Sequence, residues 1–119
     1  MSLKERVDEL NAYIAQEKIL EAMDEFYAED VVMQENRNPP TVGRAANIVR
    51  EKQFLAQLKE FKAYNVLGVG LGEDISFIES ELEFINVQDQ YIKMSQTAVQ
   101  RWKGDRIWHE RFYHETAGN

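Results

Sequence analysis

Tyr91-Ile-Lys-Met-Ser-Gln-Thr-Ala-Val-Gln-Arg-Trp102, then Lys103-Gly104-Asp105, then Arg106-Ile-Trp-His-Glu-Arg-Phe-Tyr-His-Glu115, is the stretch that decides the fold. Two runs rich in β-branched and aromatic residues flank a break containing glycine, which is the signal of a β-hairpin. Both strands are long for a chain of 119 residues, and neither has a purely polar face. A sheet of that kind needs cover on one side and partial cover on the other.

Upstream, Tyr64–Leu71 alternates, with Leu67, Val69 and Leu71 opposed to Gly68, Gly70 and Gly72. Ile75–Val87 alternates too, with Ile78, Leu82 and Phe84 opposed to Glu79, Glu81 and Glu83. Both read as strands, and Val87–Gln90 as the turn into the final hairpin. The first part of the chain has helical periodicity instead. Leu3, Val7, Leu10 and Ile14 form one stripe, and Ile19, Met23 and Phe26 form another that runs to about Ala28. Neither glycine nor proline marks a break near Ala15–Glu17, so continuity between these two helices stays open. Asp30–Glu35 is a short strand that Asn36-Arg-Asn-Pro-Pro40 stops. Gly43 opens a third helix of roughly Arg44–Phe61, with Ile48, Phe54 or Leu55, Leu58 and Phe61 as its apolar stripe. Helices first and a meander of long strands after them predict an α+β domain spanning 1–119, a curved antiparallel sheet with helices on one face.

The bulk composition narrows the function classes. The net charge is −7, and the basic residues mostly have acidic neighbours, as in Arg50-Glu51-Lys52. Nucleic acid and anionic membranes both require a basic patch, so neither is an expected partner. There is no cysteine, hence no disulfide, thiolate nucleophile or Cys-ligated metal. That fits a reducing compartment, and the expected location is cytoplasmic. No apolar run approaches a membrane span. Gly68-Val-Gly-Leu-Gly72 lacks the following helix that a dinucleotide fingerprint needs, so no cofactor is expected. His109 and His114 lie five apart on one strand and point to opposite faces, so no metal site is expected.

Three segments carry a resemblance: Phe26-Tyr-Ala-Glu-Asp-Val-Val-Met-Gln-Glu35, Pro39-Pro-Thr-Val-Gly-Arg44 and Gly104-Asp-Arg-Ile-Trp-His-Glu-Arg-Phe-Tyr113. They resemble the SnoaL-like proteins of the nuclear transport factor 2-like superfamily, and the element order matches over nearly the whole chain. The resemblance implies a cone-shaped (cystatin-like) barrel in which a strongly curved sheet wraps three helices and leaves a pocket at the wide end. It also implies a homodimer through the convex face of the sheet. The superfamily hosts cyclases, isomerases, dehydratases, epoxide hydrolases and non-enzymatic binders, so fold alone assigns no reaction.

The turn between the last two strands controls the pocket, because a one-residue slip turns every side chain to the other face. A two-residue loop at Gly104-Asp105 sets Ile107, His109, Arg111 and Tyr113 beside Trp102. A three-residue loop at Lys103–Asp105 sets Trp108, Glu110, Phe112 and His114 there, with Ala98, Gln100 and Trp102. The resemblance favours the second set, since enzymes of the superfamily carry pocket carboxylates at the positions of Ala98 and Phe112.

The candidate acid–base residues are Glu35 and Glu110. Glu35 matches the position of the general base in the ketosteroid isomerases of the superfamily; otherwise it is a solvated residue at a strand end. Glu110 between Trp108 and Phe112 is either a desolvated catalytic carboxylate or a buried structural one. Tyr27, Ala98, Gln100, Trp102, Trp108 and Phe112 are the expected ligand-lining residues, with Tyr13 and Tyr64 as further aromatics. The departures are as informative. Ala98 and Phe112 stand where the isomerases and the epoxide hydrolases need acids, so no complete known catalytic set transfers. The expected protein therefore has a pocket for a small hydrophobic molecule. It is either an isomerase, cyclase or hydratase working by carboxylate chemistry, or a non-catalytic binding or dimeric interaction module.

Overall fold

A computed structural model describes residues 2–115. Helix α1 (Leu3–Ala15) starts at a reciprocal cap: Ser2 Oγ accepts from the Glu5 backbone and the Glu5 carboxylate accepts from the Ser2 backbone. The break after α1 is sharp. Glu17 takes a positive φ of 62°, and α2 (Ile19–Phe26) sets off in a new direction. The chain then enters β1 (Tyr27–Glu35) directly, followed by the short β2 (Thr41–Val42) and helix α3 (Arg44–Ala56). Strands β3 (Leu58–Gly72), β4 (Ile75–Asn86), β5 (Tyr91–Lys103) and β6 (Arg106–His114) complete the fold.

The architecture is the expected α+β cone, with three helices held in a curved sheet of six strands in the order β2-β1-β6-β5-β4-β3. Two features differ from the expected sheet. It is open, since β2 and β3 are unpaired edges. It is also mixed, because β1 runs parallel to β6. Parallel neighbours need a long crossover, which α3 and the β3–β5 meander supply. Curvature comes from irregular pairing: β3 shifts register against β4 at three places between Leu58 and Gly68.

Val7, Leu10, Ala22, Met23, Phe26, Val31, Trp102 and Ile107 form the core between the helices and the narrow end of the sheet. Full burial of a Leu, Met or Phe side chain stabilises by about 1.5–3 kcal/mol. Phe26 has Tyr13 edge-on at 5.2 Å and the Arg6 guanidinium over its ring at 4.2 Å. Arg6 also donates to the Glu25 and Asp105 carbonyls, so the helical layer is fastened to the β5–β6 turn.

That turn resolves the question of register. Lys103 pairs with Arg106, so the loop is the two-residue Gly104-Asp105, with Gly104 at a φ of 61°. Trp102 then pairs with Ile107, but Arg101 pairs with His109. Trp108 is the extra residue of a β-bulge. Both expected registers therefore occur, one on each side of the bulge: Ile107 points inward before it, Glu110 and Phe112 after it. Trp108 itself faces out and is 40% exposed, which corrects its expected place in the pocket.

Candidate functional site

A cavity of about 340 Å³ lies between α2, α3 and the concave face of the sheet, at the small end of the range for ligand sites. Its wall is mostly apolar, with Met23, Phe54, Leu55, Leu82, Met94 and Phe112 among the contributors. Tyr27, Gln100 and Glu110 reach the same cavity from the sheet side.

Glu110 is 1% exposed. Its position follows from cross-strand pairing: Ser76 on β4 is opposite Gln100 on β5, and Gln100 is opposite Glu110 on β6. The three side chains form one polar row across the sheet, ended by Trp102. Trp102 Nε1 donates to Ser76 Oγ at 2.9 Å, Ser76 Oγ donates to Gln100 Oε1 at 2.8 Å, and Gln100 Nε2 donates to Glu110 Oε2 at 2.6 Å. Tyr27 Oη donates to the other carboxylate oxygen, Oε1. Indole nitrogen can only donate, so Ser76 Oγ is the acceptor at this end of the row.

Burial dominates the electrostatics of Glu110 and pushes its carboxyl up to about 7. The bonds from Tyr27 and Gln100 oppose that shift and the charge of Glu51 adds to it. Burial likewise raises the Tyr27 hydroxyl well above its ordinary value, reinforced by the Glu110 charge. Tyr64, whose hydroxyl donates to Asn11 Oδ1 at 2.9 Å, is pushed up to about 12, again by burial. A carboxyl that titrates near neutrality in an apolar cavity has the proton affinity that general acid–base chemistry uses.

Glu35 lines the cavity at the end of β1. Arg50 Nη2 sits 2.6 Å from its Oε2, and His114 Nε2 lies 3.6 Å from its Oε1. Two groups on α3 also line the cavity. Asn47, 2% exposed, donates through Nδ2 to the Thr41 and Gly43 carbonyls at 3.1 and 2.8 Å. Glu51, one turn on, is raised above the ordinary carboxylate range by burial first and by the Glu35 charge second.

Of the residues expected from sequence, Glu35, Glu110, Tyr27, Ala98, Gln100 and Phe112 all line this cavity. Trp102 does not: it is 2% exposed and packed in the core with Ile107, two pairings nearer the turn than the Gln100–Glu110 row. Trp108 lies outside, for the reason given by the bulge. His109 faces out beside Arg101, and His114 lies on the inner side near Glu35. Ser76, Asn47, Arg50 and Glu51 were not anticipated. Ser76 opposite Gln100 is invisible without strand register. Asn47, Glu51, Phe54 and Leu55 follow helical spacing, a signal obscured by reading the helical stripe through apolar residues alone.

No family model matches the chain, and no curated protein does. Solved structures do. A nuclear transport factor 2-like protein of unknown function from Burkholderia pseudomallei aligns at a TM-score of 0.85, with 14% identity over 98% of this chain and 94% of that one. A candidate SnoaL-like polyketide cyclase from Mesorhizobium loti aligns at 0.79, with 18% identity over 95% and 99%. A protein of ketosteroid isomerase-like fold from Catenulispora acidiphila, in complex with trimethylamine, aligns at 0.77, with 14% identity over 94% and 86%. At such identities the likeness establishes the fold: this chain has the fold of the SnoaL-like and nuclear transport factor 2-like proteins. Among the described residues, no helix is long and apolar enough to cross a membrane.

Proposed function

We propose that the cavity binds a small, largely apolar molecule and that Glu110 transfers a proton to or from it, in an isomerase-, cyclase- or hydratase-type reaction. The observation that carries this reading is a buried carboxyl at the cavity wall, aimed by Tyr27 and Gln100 and titrating near 7. Such a group abstracts a proton when ionised and returns it when protonated, without leaving the neutral range. Tyr27 supplies a second hydroxyl within the same cavity. Glu35, the other candidate, is ion-paired with Arg50 and more open to solvent than Glu110. That structural neighbours include candidate isomerases and polyketide cyclases supports the same class of chemistry. A test is deuterium exchange α to the carbonyl of a panel of small cyclic ketones in D2O, wild type against Glu110→Gln. Enzyme-dependent exchange lost in the variant supports the reading. Ketones that bind with no exchange above buffer would leave a binding protein without chemistry, the reading favoured by the hydrogen bonds that already occupy both Glu110 oxygens.

We also propose that two copies associate through the convex face of the sheet. Phe77 and Tyr113 are exposed there. Arg101, His109 and Arg111 lie on the β5–β6 side, and Glu79 and Glu81 lie on β4. A twofold axis along β5 sets the basic side of one copy over the acidic strand of the other, a self-complementary arrangement.

A further inference from the structure

On its concave face the sheet repeats one arrangement. Ser80 on β4 is opposite Gln96 on β5, and Gln96 is opposite His114 on β6, just as Ser76, Gln100 and Glu110 are aligned nearer the β5–β6 turn. An apolar row, Ile78, Ala98 and Phe112, lies between the two. Ser80, Gln96, Gln100 and Glu110 all line the cavity, which therefore runs from one polar row to the other. From Gln100 to Gln96 along β5 is a span of about 13 Å for an extended strand.

The two rows differ in their hydrogen bonding. The first is closed on itself. In the second, Ser80 is buried with its hydroxyl against that of Tyr64, and His114 turns to Glu35 at 3.6 Å. The Gln96 amide between them has no hydrogen bond among the described residues. The residue is only partly buried, and its amide atoms keep surface at the cavity wall. Among the described residues, every other neutral polar side chain of the lining has a partner within the protein: Tyr27 and Gln100 on Glu110, Asn47 on the Thr41 carbonyl, Tyr64 on Asn11. An amide carries no charge to offset that of an ion taken out of water. The group it suits is a neutral hydroxyl, which can receive from Nε2 or donate to Oε1.

Taking the cavity as the ligand site proposed above, with the reacting end of the ligand at Glu110, we infer that Gln96 is a second point of attachment. The ligand is two-ended: a neutral hydroxyl is held by the Gln96 amide at one end, and an apolar ring system lies against Ile78, Ala98 and Phe112 between that end and Glu110.

The experiment compares three fused-ring ketones on the full chain. They are 2-tetralone, 6-hydroxy-2-tetralone, whose hydroxyl lies at the end of the molecule away from the ketone, and 5-hydroxy-2-tetralone, whose hydroxyl lies on its flank. Affinity is read by calorimetry, and contact by the Gln96 side-chain amide resonances in NMR. One added neutral hydrogen bond predicts the 6-hydroxy ketone about fivefold tighter than the parent, with the Gln96 resonances moved further by it than by either other ketone. Gln96→Leu brings the ratio of 6-hydroxy to parent affinity to one, whereas Ser95→Ala, on the outward-facing neighbour, leaves it unchanged. Should Gln96→Leu fail to fold, the wild-type ranking and the Gln96 resonances decide alone. A parent ketone bound in the cavity as tightly as the 6-hydroxy ketone, or a 5-hydroxy isomer bound equally well, overturns the inference while the ligand pocket stands. If no ketone enters the cavity at millimolar concentration, both readings fall.

Discussion

Replacing Glu110 by Gln should remove most of the protein's loss of stability between weakly acid and weakly alkaline pH. The carboxyl titrates at about 7 in the folded chain against an ordinary 4.5. The folded state therefore binds more protons than the unfolded state across that window, and stability falls as pH rises through it. At about 1.36 kcal/mol for each tenfold change in proton affinity, the loss from this residue approaches about 3 kcal/mol above pH 8. The substituted amide keeps the shape and the partners: its oxygen accepts from Gln100, and its nitrogen donates to Tyr27 Oη. Urea denaturation at half-unit steps from pH 4.5 to 8.5 should show the two proteins nearly equal at the acid end. The variant should gain steadily to about 3 kcal/mol at the alkaline end, roughly 10 °C in melting temperature for a chain of this length. Profiles that stay parallel within about 0.5 kcal/mol would mean that Glu110 is not desolvated as its surroundings imply.

Other perturbations read other parts of the structure. Tyr27→Phe removes a donor from a buried carboxyl; about 1–3 kcal/mol of stability should go, and the Glu110 resonance in carbon-detected NMR should titrate higher than in wild type. Trp102→Ala should cost about 3–5 kcal/mol in denaturant unfolding while Trp108→Ala stays within about 0.5 kcal/mol, because one is core and the other is the outward residue of a bulge. Similar costs for the two would contradict the register of the last hairpin. Arg101→Glu should shift sedimentation towards monomer on dilution, more so than Lys4→Glu on the opposite, helical side; equal behaviour would remove the convex-face dimer.

The order of elements was legible because helical and alternating periodicities each hold for long runs, and the one early strand is marked off by Pro39-Pro40 before α3. Boundaries were less so. Leu58-Lys-Glu-Phe61 repeats at a spacing that suits a helix, and no glycine or proline ends it, so α3 reads to Phe61 although pairing with β4 claims the chain from Leu58. The start of β1 shows the same competition: Tyr27 and Ala28 continue a helical stripe, but Tyr27 pairs beside Ile107. Glu110 was legible as inward-facing only through the resemblance, because a bulge at Trp108 changes the parity and local composition does not mark it. Glu51 was hidden for a different reason. A glutamate on an amphipathic helix usually faces water, whereas this one lines the cavity beside Asn47, Phe54 and Leu55.

The row from Trp102 to Glu110 ends at a group that can only donate. Its far end is a buried indole, which has no lone pair to receive with, so a hydrogen ion cannot leave the row by way of Trp102. The interior wall is a closed terminus for charge movement. Whatever Glu110 gains or gives up must cross the hollow side, by way of Tyr27 or of any molecule lodged there, and under the proposed function solvent exchange at this residue would be timed by how long such an occupant stays.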